Sequence, residues 1–323
     1  MKHIVAGIVT YKPDLTVLAD LIAAIASEVV AIVIVANSPM KMIESAYLQQ
    51  IAGATPVHID DPGENIGLGG AYERIMSRAG MHGAAFEQIE RVILFDQDSS
   101  PSIGMISALA TRMETLHEMG ERPALLGPKP ISASPEHKPP TIHRHSSGRI
   151  TASSQAVWFA ISSGSLIDVT AFHQVGAFRS DFFIDAIDIE WCFRAWSTGY
   201  SCWMADDILM PHRLGNGYIT VPFIGWKLPI QSPLRLGTYA RNQAALLRFN
   251  HIPKRWKIRI CLYMAMQMLA YWLADHGNIA RPHSLIKGFI TGLAGRLGPP
   301  PEVKSTTRRV PSSAPPVKVN ARG

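Results

Sequence analysis

The chain has 323 residues, 47% of them hydrophobic and 17% charged. That supplies apolar material for one large or two modest cores and excludes a disordered or fibrous polypeptide. The formal charge of +6 suits an anionic partner, such as nucleic acid, a nucleotide-sugar or an acidic membrane face, without choosing among them.

The opening MKHIVAGIVTYKPD carries an apolar run that turns polar too soon for a secretory leader, and residues 4–9 read as a buried strand. Residues 14–27 place apolar side chains at helical spacing behind an Asp14 cap, and residues 29–35 form a second strand. A strand–helix–strand opening favours parallel pairing. Residues 57–59 suggest a third strand. The glycines of Ile66-Gly67-Leu68-Gly69-Gly70 follow, permitting close backbone approach to a ligand ahead of a helix over residues 71–79. Three cysteines, Cys192, Cys202 and Cys261, form neither a C-x-x-C motif nor an even-numbered disulfide framework, which favours a reducing, cytoplasmic compartment.

RVILFDQDSS, residues 91–100, is the stretch around which the chain is organised. Four apolar residues in a row read as a strand buried on both faces, ending in Asp96 and Asp98. Ligands of open α/β sheets bind at the carboxyl ends of strands, and residues two apart in extended chain share a face. Both carboxylates can therefore address one ligand, for instance a divalent cation with its diphosphate. The same pattern also serves as a turn or helix cap.

A helix over 102–119, a strand over 124–126 and a polar stretch over 132–149 come next. That stretch carries His137, His143 and His145, which read as solvated loop residues rather than metal ligands. Residues 156–161 suggest a strand, and residues 168–175 a short helix. The second acidic centre, DFFIDAIDIEWCFR, spans 181–194. From Asp188 onward it fits a helix with acidic residues in its first turn and a Glu190–Arg194 pair one turn apart. Capping leaves Phe182, Phe183 and Trp191 around three carboxylates unexplained; a partly apolar setting raises carboxylate basicity towards that of a general base. A strand over 200–204 leads to Pro211-His212-Arg213-Leu214-Gly215, where His212 is a candidate cation or phosphate ligand.

With these segments in view, the chain resembles the inverting glycosyltransferases of family 2, nearest to bacterial rhamnosyltransferases. The matching motifs are IVTYKPD, GENIGLGGA, FDQDSSP, SSGSLI, VGAFRSDFFIDAIDIEWCFRA, PHRLG and YARN, in order over roughly the first 250 residues. The resemblance implies a GT-A (Rossmann-like) α/β fold, a mixed and mainly parallel sheet flanked by helices, over residues 1–232. It implies that Thr10, Tyr11, Asn65, Gly67 and Asp96 contact the nucleotide-sugar. Asp98 and His212 would hold Mg²⁺ or Mn²⁺ against the diphosphate, and Asp188 would be the general base. Ser163, Gly164 and Asp185 would lie on the acceptor side. The implied donor is dTDP-L-rhamnose and the acceptor a glycan or lipid-linked saccharide, as in cell-surface polysaccharide biosynthesis, with no nucleic acid involved. Three positions depart from the pattern: Ala36 and Ile187 replace acidic residues, and Glu73 replaces an asparagine. Those departures raise one rival, a non-catalytic nucleotide-sugar-binding scaffold, and the α/β opening raises a second, a sugar nucleotidyltransferase. The intact Asp96, Asp98 and Asp188 argue against the first. The absence of a Gly-rich basic loop after the first strand argues against the second.

Residues 233–298 read as helical. Within them ICLYMAMQMLAYWLA, residues 260–274, is uncharged yet too short to span a bilayer, so it either packs in the core or lies on a membrane surface. Lys254, Arg255, Lys257 and Arg259 immediately before it suit an anionic inner membrane face. The Pro- and Ser-rich tail, 299–323, reads as disordered.

Overall fold

The computed structural model describes residues 3–79, 89–132, 141–212, 217–222, 225 and 227–300. His137, Arg213, Leu214, Gly215 and the tail from 301 lie outside them.

Four parallel strands make the first half of the sheet: β1 (Ile4–Thr10), β2 (Ala31–Ala36), β3 (Val57–Asp60) and β4 (Arg91–Asp96). Their side chains alternate between two cores, as strands covered on both faces must. Val5, Val33, Val92 and Leu94 meet Tyr72 and Ile75 of α3 (Gly67–Ala79) on one side. Ile8, Ile34, Ile93 and Phe95 meet α1 (Leu15–Ile25) and α4 (Met105–Glu118) on the other. The sheet then changes direction. β5 (Pro123–Ser132), β6 (Ile150–Thr151), β7 (Ser154–Ala156), β8 (Leu166–Asp168) and β9 (Ser201–His212) complete nine strands in the order β3-β2-β1-β4-β8-β5-β9-β7-β6. β8 runs antiparallel to both β4 and β5, whereas β5 and β9 are parallel.

The remaining helices are α2 (Met42–Ala52), α5 (Val169–Val175), α6 (Ile187–Ser197), α7 (Pro233–Leu246), α8 (Lys254–Ala274) and α9 (Ala280–Leu293). Asp14 caps α1 through the Thr16 and Val17 N–H groups, and Asp168 caps α5 through that of Ala171.

Several sequence expectations need correction. The strand expected over 156–161 ends at Ala156, because Val157 onward serves as a loop that β8 re-enters. The strand expected to stop at 204 continues to His212, with a register irregularity where Asp206 and Asp207 interrupt the apolar run. The glycine segment is itself the start of α3. α8 packs one face in the core, as one of the two expectations had it, and leaves an apolar face exposed. Ile260, Met264, Ala270 and Tyr271 are buried, while Leu262, Met266 and Leu269 on the opposite side are more than half exposed. No helix among the described residues is long and apolar enough to cross a membrane.

Candidate active site

At the end of β4 the chain makes a tight, cross-braced turn. The Tyr11 N–H donates to Gln97 Oε1 at 2.8 Å and Gln97 Nε2 returns a bond to the Tyr11 carbonyl at 3.3 Å, so the glutamine between the aspartates fixes the loop leaving β1. Thr10 is fully buried there and its hydroxyl has no partner among the described residues; Tyr11 is half exposed. The loop Ser162-Ser163-Gly164-Ser165 is bound to the same strand end. Gly164 N–H donates to the Leu94 carbonyl at 2.7 Å, Asp96 N–H to Ser163 Oγ at 3.2 Å, and the Ser99 and Ser163 hydroxyls bond each other at 2.7 Å. Tyr72 of α3 adds a 2.8 Å bond to Ser162 Oγ.

Asp188 occupies the first turn of α6, half-buried. Its carboxylate accepts the Ile189 N–H at 2.8 Å, and the backbone N–H of Ser162 in the serine loop is near enough to favour its ionised form. The turn feeding that helix is costly: Phe183, Asp185 and Ala186 have φ of 65°, 68° and 62°, a region L-residues rarely occupy. Asn242, buried on α7, pins it. Its Nδ2 group lies 2.9, 2.6 and 2.9 Å from the carbonyl oxygens of Phe182, Ile184 and Asp185, and Arg241 adds a bond to Phe182 O at 2.9 Å. Asp185 accepts from Arg235 at 3.3 Å through one oxygen, while its other oxygen is buried with no partner among the described residues.

The two acidic centres, 90 residues apart in sequence, share one electrostatic environment. Burial, then the negative charges of Asp98 and Asp188, push the Asp96 carboxyl up to about 6, against the pull of Arg235. Asp188 is likewise pushed up to about 6, chiefly by burial, although backbone donors from Ile189 and Ser162 favour its ionised form. The Tyr72 hydroxyl, buried beside both Asp96 and Asp188, is raised well above its ordinary value. Asp98 is exposed at the rim. His212, at the end of β9, is close enough for Asp98 to favour its protonation, while burial, the stronger influence, lowers its pKa.

Asn65 and Gly67 take part in packing. Asn65 Oδ1 accepts the Gly67 N–H at 2.9 Å, and Leu68 and Gly69 N–H donate to the Phe183 carbonyl at 2.6 and 3.3 Å. A Cβ on Gly67, at φ 73°, would collide with Phe183, and one on Gly69 with the Arg179 carbonyl. The backbone that the glycines admit is thus residues 179–183, and the α3 N-terminus is occupied by protein. His143 and His145, expected to be solvated, are packed instead: His145 stacks on Trp196 at 3.7 Å and His143 meets Trp256 edge-on at 5.2 Å. No group of three candidate metal ligands occurs among the described residues. Sequence reasoning quoted YARN without giving it a task; the structure assigns Asn242 to the strained turn. An Asn after an Arg in an otherwise apolar helix was the available signal.

No family model matches the chain. It is 28% identical over 304 residues to the dTDP-rhamnosyl transferase RfbF of Shigella flexneri, covering 92% of this chain and 97% of that one. Among solved structures it is similar to S. aureus TarS 1-349 in complex with UDP-GlcNAc, with a TM-score of 0.55, 13% identity and coverage of 94% and 83%. It is also similar to the mannosyltransferase PcManGT of Pyrobaculum calidifontis in complex with GDP-Man and Mn²⁺, with a TM-score of 0.54, 13% identity and coverage of 91% and 88%. It spans 57% and 50% of two longer solved chains of similar fold. With these likenesses, the chain has the fold of the GT-A glycosyltransferases and resembles a dTDP-rhamnosyl transferase along nearly its whole length.

Proposed function

We propose that the protein transfers L-rhamnose from dTDP-L-rhamnose to a hydroxyl of a glycan or lipid-linked saccharide, with inversion at the anomeric carbon. The observation that carries this reading is the convergence of Asp188 with Asp96 and Asp98 around the serine loop, with Asp188 held near a pKa of about 6. A carboxylate of that basicity is deprotonated at neutral pH yet accepts a proton readily as a hydroxyl attacks. In this reading Thr10, Tyr11, Asn65, Gly67 and Asp96 line the nucleotide side, and Ser163, Gly164 and Asp185 the acceptor side. Asp188 takes the hydroxyl proton while the oxygen attacks opposite the diphosphate, and no covalent sugar intermediate is required.

The residues present fit a divalent cation. Asp98 is an exposed carboxylate, His212 is kept neutral by burial and so has a free ring nitrogen, and carboxylates accumulate around Asp96 faster than Arg235 offsets them. With two protein ligands, the ion would complete its shell with diphosphate oxygens and water, the usual habit of Mg²⁺. When bound, it would neutralise the charge developing on the leaving diphosphate.

The test is a melting-temperature panel with dTDP-L-rhamnose, UDP-GlcNAc and GDP-mannose, each with and without Mn²⁺ or a chelator. dTDP-L-rhamnose with Mn²⁺ is expected to stabilise most, and chelation to remove both the shift and transfer. A larger shift with another donor overturns the rhamnose assignment, and an unchanged response in chelator overturns the cation.

A further inference from the structure

A cavity of about 580 Å³, separate from the carboxylate cluster, opens between the loop after residue 141 and the start of α8. Its walls carry His143, Arg144, Trp158, Arg255, Trp256 and Arg259, and no carboxylate. Two of the guanidinium groups lie over indole faces: Arg255 over Trp158 at 5.6 Å and Arg259 over Trp256 at 5.2 Å. Among the described residues Arg144, Arg255 and Arg259 pair with no acid, and the indole N–H of Trp256 is buried without an acceptor. Two unpaired cations held over indole planes and a third beside them, with a donor lacking a partner, form a receptor for an anion attached to a hydroxylated ring. The cavity also has a direction. Ile142 lines it and also a smaller cavity whose walls include Ser163 and His212, so the two cavities meet at that residue.

We infer that this cavity binds a phosphate-bearing sugar of the acceptor, the indoles stacking on the ring and the arginines holding the phosphate. The inference rests on the reading of the chain as a sugar-transferring enzyme. A phosphate held here places the acceptor sugar beside the smaller cavity that Ser163 and His212 line.

The test uses the full chain saturated with dTDP, which blocks the donor side, and titrates glucose 1-phosphate against neutral methyl α-glucoside, reading tryptophan fluorescence. Glucose 1-phosphate is expected to bind at least ten-fold tighter than the glucoside. Arg255→Gln with Arg259→Gln should weaken it ten-fold or more while leaving dTDP affinity within two-fold. If that double variant also loses dTDP, the exposed loop substitution Arg144→Gln replaces it, with a loss of about five-fold expected. Equal affinity in wild type and variants overturns the proposal. So does binding to phosphatidylglycerol vesicles with none to glucose 1-phosphate, which would make the cavity a lipid-headgroup site. Failure of dTDP itself to bind is a separate result and counts against the donor assignment.

Discussion

Two carboxylates on the first turn of α6 stand two residues apart and have opposite fates. Glu190 faces inward, 1% exposed, and is gripped by Arg194 at 3.1 and 2.8 Å and by His251 at 3.0 Å, so its pKa falls below the ordinary value despite burial. Asp188 faces the serine loop, has backbone donors but no cation in contact, and rises to about 6. Burial acts on both, so the partner decides which acid stays ionised and which keeps a raised basicity. A sequence reader sees the same first-turn acidity in each.

The largest test of that contrast is the pair of isosteric changes. Asp188→Asn is expected to cut transfer on the order of 10²–10⁴-fold with donor binding retained, as for loss of a general base. Glu190→Gln, by contrast, should cost about 1.5–3 kcal/mol of stability by removing the carboxylate from the partly buried Arg194. Steady-state rates and chemical denaturation on both variants separate the roles. If Glu190→Gln alone abolished transfer in a fully folded protein, the contrast would be reversed.

The next effect is on the turn before α6. Asn242→Ala strips the Ile184 and Asp185 carbonyl oxygens of their side-chain donor, leaves Phe182 O to Arg241 alone, and should destabilise by about 2–4 kcal/mol. A kcat loss of about ten-fold or more is expected too, because Asp188 follows that turn. Unchanged kcat in a destabilised variant would show that the turn does not position the base.

The pH profile sharpens the same point. Asp188 must be ionised to accept a proton, and its folded pKa is raised from 3.8 to about 6, so kcat/KM should fall about ten-fold per pH unit below 6 and level off above. For stability the sign is opposite. A raised carboxyl pKa favours the fold below the unfolded value and loses that advantage as pH rises through 6. Asp188→Asn should therefore gain up to about 3 kcal/mol over wild type at pH 8 and nothing below pH 3. Denaturation at the two pH values measures it.

The smallest expected change is at Arg235, which is half exposed and bonded to Asp185. Arg235→Gln should alter stability by about 0.2–1 kcal/mol at most. It should leave the acidic limb of the pH profile in place, since Arg235 lowers Asp96 and Asp185 and does not act on Asp188.

The parallel half of the sheet was legible because its strands are nearly unbroken Val and Ile runs, whose burial on both faces leaves no competing pattern. Asp96 at the end of β4 followed from that alone. β8 was not legible: Leu166–Asp168 is three residues long and pairs with strands far away in sequence. α2 was missed because Met42 and Ile43 are 88% and 76% exposed, which blurs its apolar stripe. The convergence of Asp188 on Asp96 entered the sequence reading only through family likeness. Spacing cannot reveal it, because the serine loop that joins them is bound by Ser163, Gly164 and Tyr72, contacts that exist only after folding.

Ala186, at φ 62° and immediately before α6, is a natural address for thermostabilising work. Glycine there removes the left-handed penalty, of order 1 kcal/mol, at little steric cost. Yet a relaxed hinge lets the following aspartate wander, so the sturdier protein would be the slower catalyst. Heat tolerance and turnover compete for one methyl group.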